Sequence, residues 1–363
     1  MVVEHDKDII SIADEVIDVG PLAGKLGGEI LFQGSYENLL LADTLTAKAL
    51  RERIEIKDNV RNPKKFLSIK NANVHNLKNV SVDIPLNVLT VVSGVAGSGK
   101  SSLIRDVFAK EYSEQVVLVD QSPITATGRS TSATYLGFFD EIRRVMANEN
   151  NVDASLFSFN SKGACPACNG KGVIITELVF MDPVTTVCEV CEGTRYSKEA
   201  LSYKYHGKNI KEILEMSVSE AYEFFKDNKK LEKALRAMLE VGLPYLSLGQ
   251  SLNTLSGGER QRVKLAKDLY AKGNIYILDE PTTGLHASDI LKIMELLESI
   301  IDKGNTVIVI EHNLDVMKRA DWIIDVGPDG GSKGGEIMYS GTVKDMVEKS
   351  NSITAQYLRK SLK

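Results

Sequence analysis

The segment Leu89-Thr-Val-Val-Ser93 followed by Gly94-Val-Ala-Gly-Ser-Gly-Lys-Ser101 constrains the fold more tightly than any other part of the chain. An apolar strand runs straight into a glycine-rich turn, and residues 102–112 behind the turn have helical composition. Strand, glycine turn and helix in that order build the phosphate-binding corner of an α/β sheet. Bare backbone N–H groups gather there at the positive end of the helix. Gly94, Gly97 and Gly99 let the backbone wrap phosphates, Lys100 reaches the outer ones, Ser101 can hold Mg2+, and Ser102 opens the helix beside them. Further along, Ile275-Tyr-Ile-Leu-Asp279-Glu280 reads as a second apolar strand, ending in two acids. Two acids after a strand are weak evidence alone. Behind a phosphate loop they assign Asp279 to the Mg2+ and Glu280 to polarising the attacking water, because phosphoryl transfer needs positioned charge more than covalent chemistry.

The remaining bulk properties exclude more than they assign. With 363 residues and 43% hydrophobic content, the chain can bury a large core and should divide into two or more globular units. A net charge of -5 gives no overall basic signature, so any nucleic-acid contact must come from a local patch. No apolar run approaches the roughly 18 to 20 residues of a membrane span, and Met1-Val-Val-Glu-His5 is not a basic and apolar leader. The expectation is a soluble, cytoplasmic protein, in which paired cysteines are metal ligands rather than disulfides.

All four cysteines lie in Cys165-Pro-Ala-Cys168 and Cys188-Glu-Val-Cys191, with nineteen residues between the pairs and a glycine after each, Gly170 and Gly193. That spacing predicts a closed, four-sulfur tetrahedral Zn2+ site with a structural role. Chaperone zinc modules use similar knuckles, but repeat them more often and carry no phosphate loop.

A long-range self-match adds a second constraint. Val2-Val3-Glu4-His5, Asp14, Asp18-Val-Gly-Pro21, Gly24, Gly27-Gly-Glu29 and Gly34 recur 307 positions later as Val309-Ile310-Glu311-His312, Asp321, Asp325-Val-Gly-Pro328, Gly331, Gly334-Gly-Glu336 and Gly341. The spacing is too long for a solenoid repeat. It predicts that residues 1–34 are the closing segment of a truncated first nucleotide cassette, beginning in mid-strand, and that a complete second cassette follows. A helix over residues 36–54 and a charged linker, within residues 35–65, would join them. Alternation of Leu67, Ile69, Val80, Val82 and Ile84 predicts strands opening the second cassette.

Ser256-Gly257-Gly258-Glu259 has the spacing of a helix capping box, with an amphipathic helix over residues 260–270 behind it. Capping does not explain two glycines inside the box, whereas exposed amides at a helix start suit an anion. Leu255-Ser-Gly-Gly-Glu-Arg-Gln-Arg262 resembles the signature motif of ATP-binding cassette proteins. In that family the signature faces the γ-phosphate of an opposing cassette. The resemblance therefore implies ATP as the nucleotide, two cassettes per active unit, and roles for Ser256, Gly257 and Gly258 across an interface. It also implies that Gln121, after a strand over residues 115–120, is the Q-loop glutamine and His312 the switch histidine.

Within that family the cysteine insertion resembles the UvrA branch of bacterial nucleotide excision repair. The likeness extends through Phe157-Ser-Phe-Asn160, Val179-Phe-Met-Asp-Pro183, Cys188-Glu-Val-Cys-Glu-Gly-Thr-Arg-Tyr196, residues 243–250 and Asp279-Glu-Pro-Thr-Thr-Gly-Leu-His286. It implies an ATPase that binds damaged or distorted double-stranded DNA, corresponding to the C-terminal half of UvrA, with the other cassette supplied by a missing N-terminal half or a homodimer. UvrA proteins contact UvrB through their first half, so that partner does not carry over. Two departures favour alternatives. Only twenty residues separate Lys100 from Gln121, and Ser122-Pro-Ile-Thr-Ala-Thr-Gly-Arg-Ser-Thr-Ser-Ala-Thr-Tyr135 replaces a Gly-Arg-Thr-Pro-Arg-Ser-Asn-Pro stretch. These suggest a shorter paralogue conferring resistance to DNA-binding drugs. An inactive split-gene fragment is a further alternative. Arg129, Arg143, Arg144, Lys162 and Lys171 are available for DNA phosphates, nearly balanced by Glu177, Asp182, Glu189 and Glu192.

The expected fold is α/β: an ABC-type phosphate-loop domain with a mainly helical signature subdomain and an inserted four-cysteine zinc module. The expected boundaries place the phosphate and Q-loop lobe at 66–135 and the signature subdomain at 136–262, with zinc module 157–196. The lobe with the paired acids, switch histidine and tail takes 263–363.

Overall fold

The structure, a computed structural model, describes residues 1–4, 6–21, 27–120, 130–178, 181–269 and 275–362. In chain order its strands are β1 (Val16–Gly20), β2 (Glu29–Gly34), β3 (Phe66–Ala72), β4 (Val80–Pro85), β5 (Leu89–Ser93), β6 (Val116–Val119), β7 (Val173–Leu178), β8 (Met181–Val187), β9 (Ile275–Asp279), β10 (Thr306–Ile310), β11 (Trp322–Gly327) and β12 (Glu336–Gly341). The chain divides into two compact units, one of Met1–Pro123 with Gly257–Lys363 and the other of Ile124–Ser256.

The first unit is built on a six-stranded sheet in the order β12-β11-β5-β10-β9-β6. Its strands are parallel except β12, which runs antiparallel to β11. Every residue of β5 and β10 is buried, as expected for central parallel strands covered on both faces. The strand period of two sorts their side chains. Ile275, Ile277, Ile308, Ile310, Ile324 and Val326 join one cluster with Leu103, Ile104 and Phe108 of the helix behind the phosphate loop, and with Ile69, Val82 and Ile84 of the β3–β4 hairpin. That helix is wound in wider π-type turns over Ser102–Phe108 and in α-turns over Ala109–Glu111. The helix Ala287–Asp302 packs against β10 and β5.

The internal repeat is a repeat of structure. Helix Lys7–Ser11 with N-cap Asp6 corresponds to helix Leu314–Lys318 with N-cap Asn313. The β1–β2 hairpin has the register of β11–β12, including a bulge after Asp18 that matches one after Asp325. After each hairpin come two helices, Tyr36–Leu41 and Leu45–Arg51 in the first copy, Val343–Lys349 and Ile353–Ser361 in the second. Thr46 donates to Asp18 at 2.7 Å, and Thr354 donates to Asp325 at 2.7 Å.

The copies differ in what covers them. β11 pairs with β5 on one side and β12 on the other, whereas β1 pairs only with β2 among the described residues. Ile324 and Val326 are 0% and 1% exposed, while their counterparts Ile17 and Val19 are 48% and 61% exposed.

Three local expectations are corrected. Residues 1–4 form no strand, because they join no ladder of backbone hydrogen bonds with a described strand. Residues 36–54 form two helices rather than one, because Thr44 breaks the run and caps the second by accepting from the Ala47 N–H at 3.1 Å. The charged linker is fastened down: Lys57 lies 2.8 Å from both Glu298 and Asp321, and Arg61 also reaches Asp302 and Asp321.

The second unit is mainly helical. Helices Phe139–Asn150, Ile210–Glu215, Val218–Phe224 and Lys229–Glu240 bury Ile142, Met146, Ile213, Val218, Leu231, Leu235 and Met238. Asn209 with Glu212 and Ser217 with Glu220 form capping boxes that start two of these helices. β7 and β8 form an antiparallel hairpin between the two cysteine pairs.

Candidate nucleotide site and metal centre

β5 delivers Ser93 to the glycine-rich turn, and Lys100 curls back over it, donating to the carbonyls of Gly94 at 2.8 Å and Val95 at 2.9 Å. Burial pulls the Lys100 ammonium below the ordinary lysine range, against the opposite pull of Glu280, Asp325 and Asp279. Those acids therefore lie within electrostatic reach of the lysine.

The turn is braced from behind by the glycine-rich loop between β11 and β12. The N–H of Gly331 donates to the Gly97 carbonyl at 3.0 Å, and that of Gly335 to the Ser98 carbonyl at 2.9 Å. Asn76 donates to the carbonyls of Gly97 at 3.0 Å and Gly331 at 3.1 Å. Gly335 has φ +85°, and a Cβ there would lie 1.8 Å from the Asn76 carbonyl, so only glycine fits. A Cβ at Gly28, its counterpart in the first copy, would meet nothing within 4 Å among the described residues. Asn76, Gly331 and Gly335 were not singled out as site residues from sequence. The recurring glycines were the available signal.

β9 presents Asp279 beside Arg105, whose guanidinium lies 3.0 Å from it and 3.6 Å from Asp120. Burial pushes the Asp279 carboxyl above the usual aspartate range even though Arg105 pulls it down. The signature helix Gly257–Asp268 grips the same strand ends. Gln261 donates to the Asp279 carbonyl at 2.8 Å, and Lys264 to the Asp120 carboxylate at 2.7 Å. These contacts explain why that helix belongs to the first unit.

Glu280 follows in a left-handed conformation, φ +47°, with its N–H donating to the Ile310 carbonyl at 2.8 Å. His312, just beyond β10, brings Nδ1 to 3.8 Å from Glu280 Oε1. Ser256 and Gly257 are exposed at the start of the signature helix, and Gly258 lies against the Thr283 carbonyl. Ser101 and Ser102 occupy the start of the helix behind the loop. Gln121 and Arg129 lie outside the described residues.

The four cysteines converge. Their sulfurs all lie within 4.8 Å of one another and the residues are buried. Cys168 and Cys191 sulfurs are 3.7 Å apart, against about 2.05 Å for a disulfide. A tetrahedron with zinc–sulfur bonds of about 2.3 Å has edges of about 3.8 Å, so the cluster is compatible with a structural zinc. Burial among the other sulfurs pushes the Cys191 thiol up to about 12. A bound cation reverses that, since a coordinating thiol is deprotonated. The Gly172 N–H donates to the Cys168 sulfur at 3.2 Å. Gly170, at φ +71°, stands where a Cβ would lie 1.7 Å from the Phe159 carbonyl. Phe157, Phe159 and Tyr196 form the aromatic floor of this module, with Tyr196 donating to the Phe157 carbonyl at 3.2 Å.

Several basic candidates for DNA contact are engaged locally. Arg143 pairs with Asp140, Arg144 with Glu141, and Lys162 with Asp153 at 2.7 Å. Lys171 is exposed.

A phosphate loop on a central parallel strand, paired acids at the end of a strand two places along the sheet, a histidine beside them and a signature helix define an ATP-binding cassette. The family model described as ABC transporter matches residues 77–283, and the chain belongs to that family. Within it the chain is UvrA-like. It is 46% identical over its whole length to UvrABC system protein A of Aquifex aeolicus (strain VF5) and 44% identical to that of Staphylococcus aureus (strain COL), spanning 43% and 42% of those proteins. The crystal structure of UvrA2 from Deinococcus radiodurans matches 99% of the chain with a TM-score of 0.91 at 41% identity, over 48% of its own length. The chain thus spans less than half of the relatives it resembles. No helix among the described residues is long and apolar enough to cross a membrane.

Proposed function

We propose that the chain binds ATP with Mg2+ and hydrolyses it as one cassette of a UvrA-like ATPase that engages damaged or distorted double-stranded DNA. The observation carrying this reading is the approach of His312 to Glu280 at 3.8 Å, beside a lysine that feels the charges of both Glu280 and Asp279. In this reading Gly94, Gly97, Gly99, Lys100, Ser101 and Ser102 hold the phosphates. Asp279 and Ser101 supply oxygen ligands for Mg2+, which when bound offsets charge on the phosphates. Glu280 takes a proton from water, and His312 and Gln121 orient the reacting groups. The exposed Ser256 and Gly257, with Gly258 beside them, meet the nucleotide of an opposing cassette. The cysteines hold zinc, and the hairpin they frame contacts DNA.

The first copy of the repeat supports a cassette partner. Asp325 accepts from Ser93, the residue before the phosphate loop, at 2.9 Å. Asp18, its counterpart, is buried, and its Oδ2 has no partner among the described residues. An exposed apolar strand edge, an unanswered carboxylate oxygen and an unopposed Gly28 together fit a strand and phosphate loop of a second cassette, seated on β1 as β5 sits on β11.

A second reading, a shorter paralogue acting against DNA-binding drugs, is favoured by length. The alignment to the Aquifex aeolicus protein runs over 398 positions for these 363 residues, so the relative carries residues absent here.

ATP turnover by wild type and Lys100→Ala, each with and without lesion-bearing duplex at two salt concentrations, tests the proposal. Lys100→Ala should abolish turnover, and duplex binding should weaken steeply with salt because each neutralised phosphate releases counterions. Unchanged turnover in Lys100→Ala sinks the site. Salt-independent binding removes DNA from the reading.

A further inference from the structure

Glu311 directly follows β10 and is wholly buried, 0% exposed, yet it is neither a proposed metal ligand nor a proposed base. Its two carboxylate oxygens serve two different loops. Oε1 accepts from both the N–H and the hydroxyl of Thr282, in the turn that follows Asp279 and Glu280. Oε2 accepts from the N–H groups of His312 at 2.7 Å and Asn313 at 2.9 Å, in the turn that carries the histidine. A buried carboxylate is costly unless its lone pairs are met, and here four donors meet them.

We infer that Glu311 is a positioning residue: one carboxylate staples the turn after the paired acids to the turn after β10, setting the separation of Glu280 from His312. Glu280 sits at φ +47°, a conformation that persists in a non-glycine residue only when its surroundings enforce it. Ile310, one residue before Glu311, accepts the Glu280 N–H at 2.8 Å, and Thr283 donates back to the Glu280 carboxylate at 3.3 Å. Loss of the staple leaves Glu280 able to shift relative to the histidine while the glycine-rich turn keeps its own hydrogen bonds from Gly331 and Gly335. The side chain must be Glu rather than Gln, because an amide offers one acceptor oxygen and presents its own N–H groups to the donors of the other loop.

This inference rests on the ATP-hydrolysing reading above, and the experiment separates the two. Wild type, Glu311→Gln, Thr282→Val, the double variant and Glu280→Gln are compared for turnover, affinity for a non-hydrolysable ATP analogue, and melting temperature. Glu311→Gln should lower kcat by at least about tenfold, since small misplacements of reacting groups carry such costs. Analogue affinity should stay within about twofold, the pattern of an interaction used in the reaction rather than in binding. Thr282→Val, which removes a single hydroxyl and keeps the shape, should lower kcat several-fold. The double variant should be no worse than Glu311→Gln, because both act through one bond. Should Glu311→Gln fail to fold, Thr282→Val decides alone. Wild-type kcat in Glu311→Gln overturns the inference, as does wild-type kcat in Thr282→Val or a parallel fall in kcat, analogue affinity and melting temperature. Wild-type turnover in Glu280→Gln, or none in the wild-type chain with an opposing cassette supplied, overturns the site reading and this inference with it.

Discussion

Asp321 shows how much a single position depends on what surrounds it. Its side chain is buried and accepts from the backbone N–H groups of Leu89 at 2.9 Å and Arg61 at 3.0 Å, with Lys57 2.8 Å away. Burial alone would raise its pKa, but these partners outweigh it and hold the carboxyl below the usual aspartate range. A carboxyl depressed in the folded state contributes stability that is fully present above its unfolded pKa and is lost as pH falls through its folded one. Asp321→Asn should therefore cost about 3 kcal/mol at pH 7, the order expected for breaking a buried ion pair. Urea titrations of both proteins should show that gap closing as pH falls below the usual aspartate range, and a gap that persists in strong acid would contradict the electrostatic account. The sequence paired Asp321 with Asp14, yet Asp14 is exposed. The repeat made both positions visible but not their difference, because the donors around Asp321 come from residues far away in the chain. Glu311 and Asn76 escaped for the same reason.

At the scale of elements, the short-range patterns were the legible ones. The strand before the phosphate loop, the strand ending at Asp279 and the cysteine pairs could be read because local spacing fixes their geometry. The four-cysteine module is the clearest test of an element held by its ligands. If the cysteines hold zinc as proposed, removing it with a chelator should lower the melting temperature of the chain and release the hairpin of β7 and β8, seen as loss of amide protection near Cys168 and Cys188. Closed four-cysteine sites contribute folding energy directly. Protection unchanged by full metal removal would mean the aromatic floor of Phe157, Phe159 and Tyr196 suffices. The break at Thr44 was not legible as a helix end, because apolar residues at helical spacing continue on both sides of it.

At the scale of the whole molecule, the repeat places the same sequence pattern in two environments. Ile324→Ala should destabilise the chain by about 2 to 5 kcal/mol, as buried large-to-small changes do. Ile17→Ala should cost less than about 0.5 kcal/mol, as expected of a largely exposed position away from special contacts. If β1 seats a second cassette, Ile17→Lys should weaken association with a cassette from the amino-terminal part of the Aquifex aeolicus relative. Sedimentation can measure this, and equal binding by wild type and Ile17→Lys would discard the β1 edge as the contact. What the sequence by itself determined was the cassette class, the four cysteines that cluster and the existence of two related segments. Glycine turns, paired acids, C-x-x-C pairs and a fixed offset are all set by local geometry. Only the tertiary structure decided which copy of the repeat is covered, that the supposed linker is anchored by Lys57 and Arg61, and that Glu311 ties two loops together. Each of these depends on contacts between residues distant in sequence. Burial and hydrogen bonding belong to that assembled neighbourhood, so identical motifs can be core in one place and open edge in another.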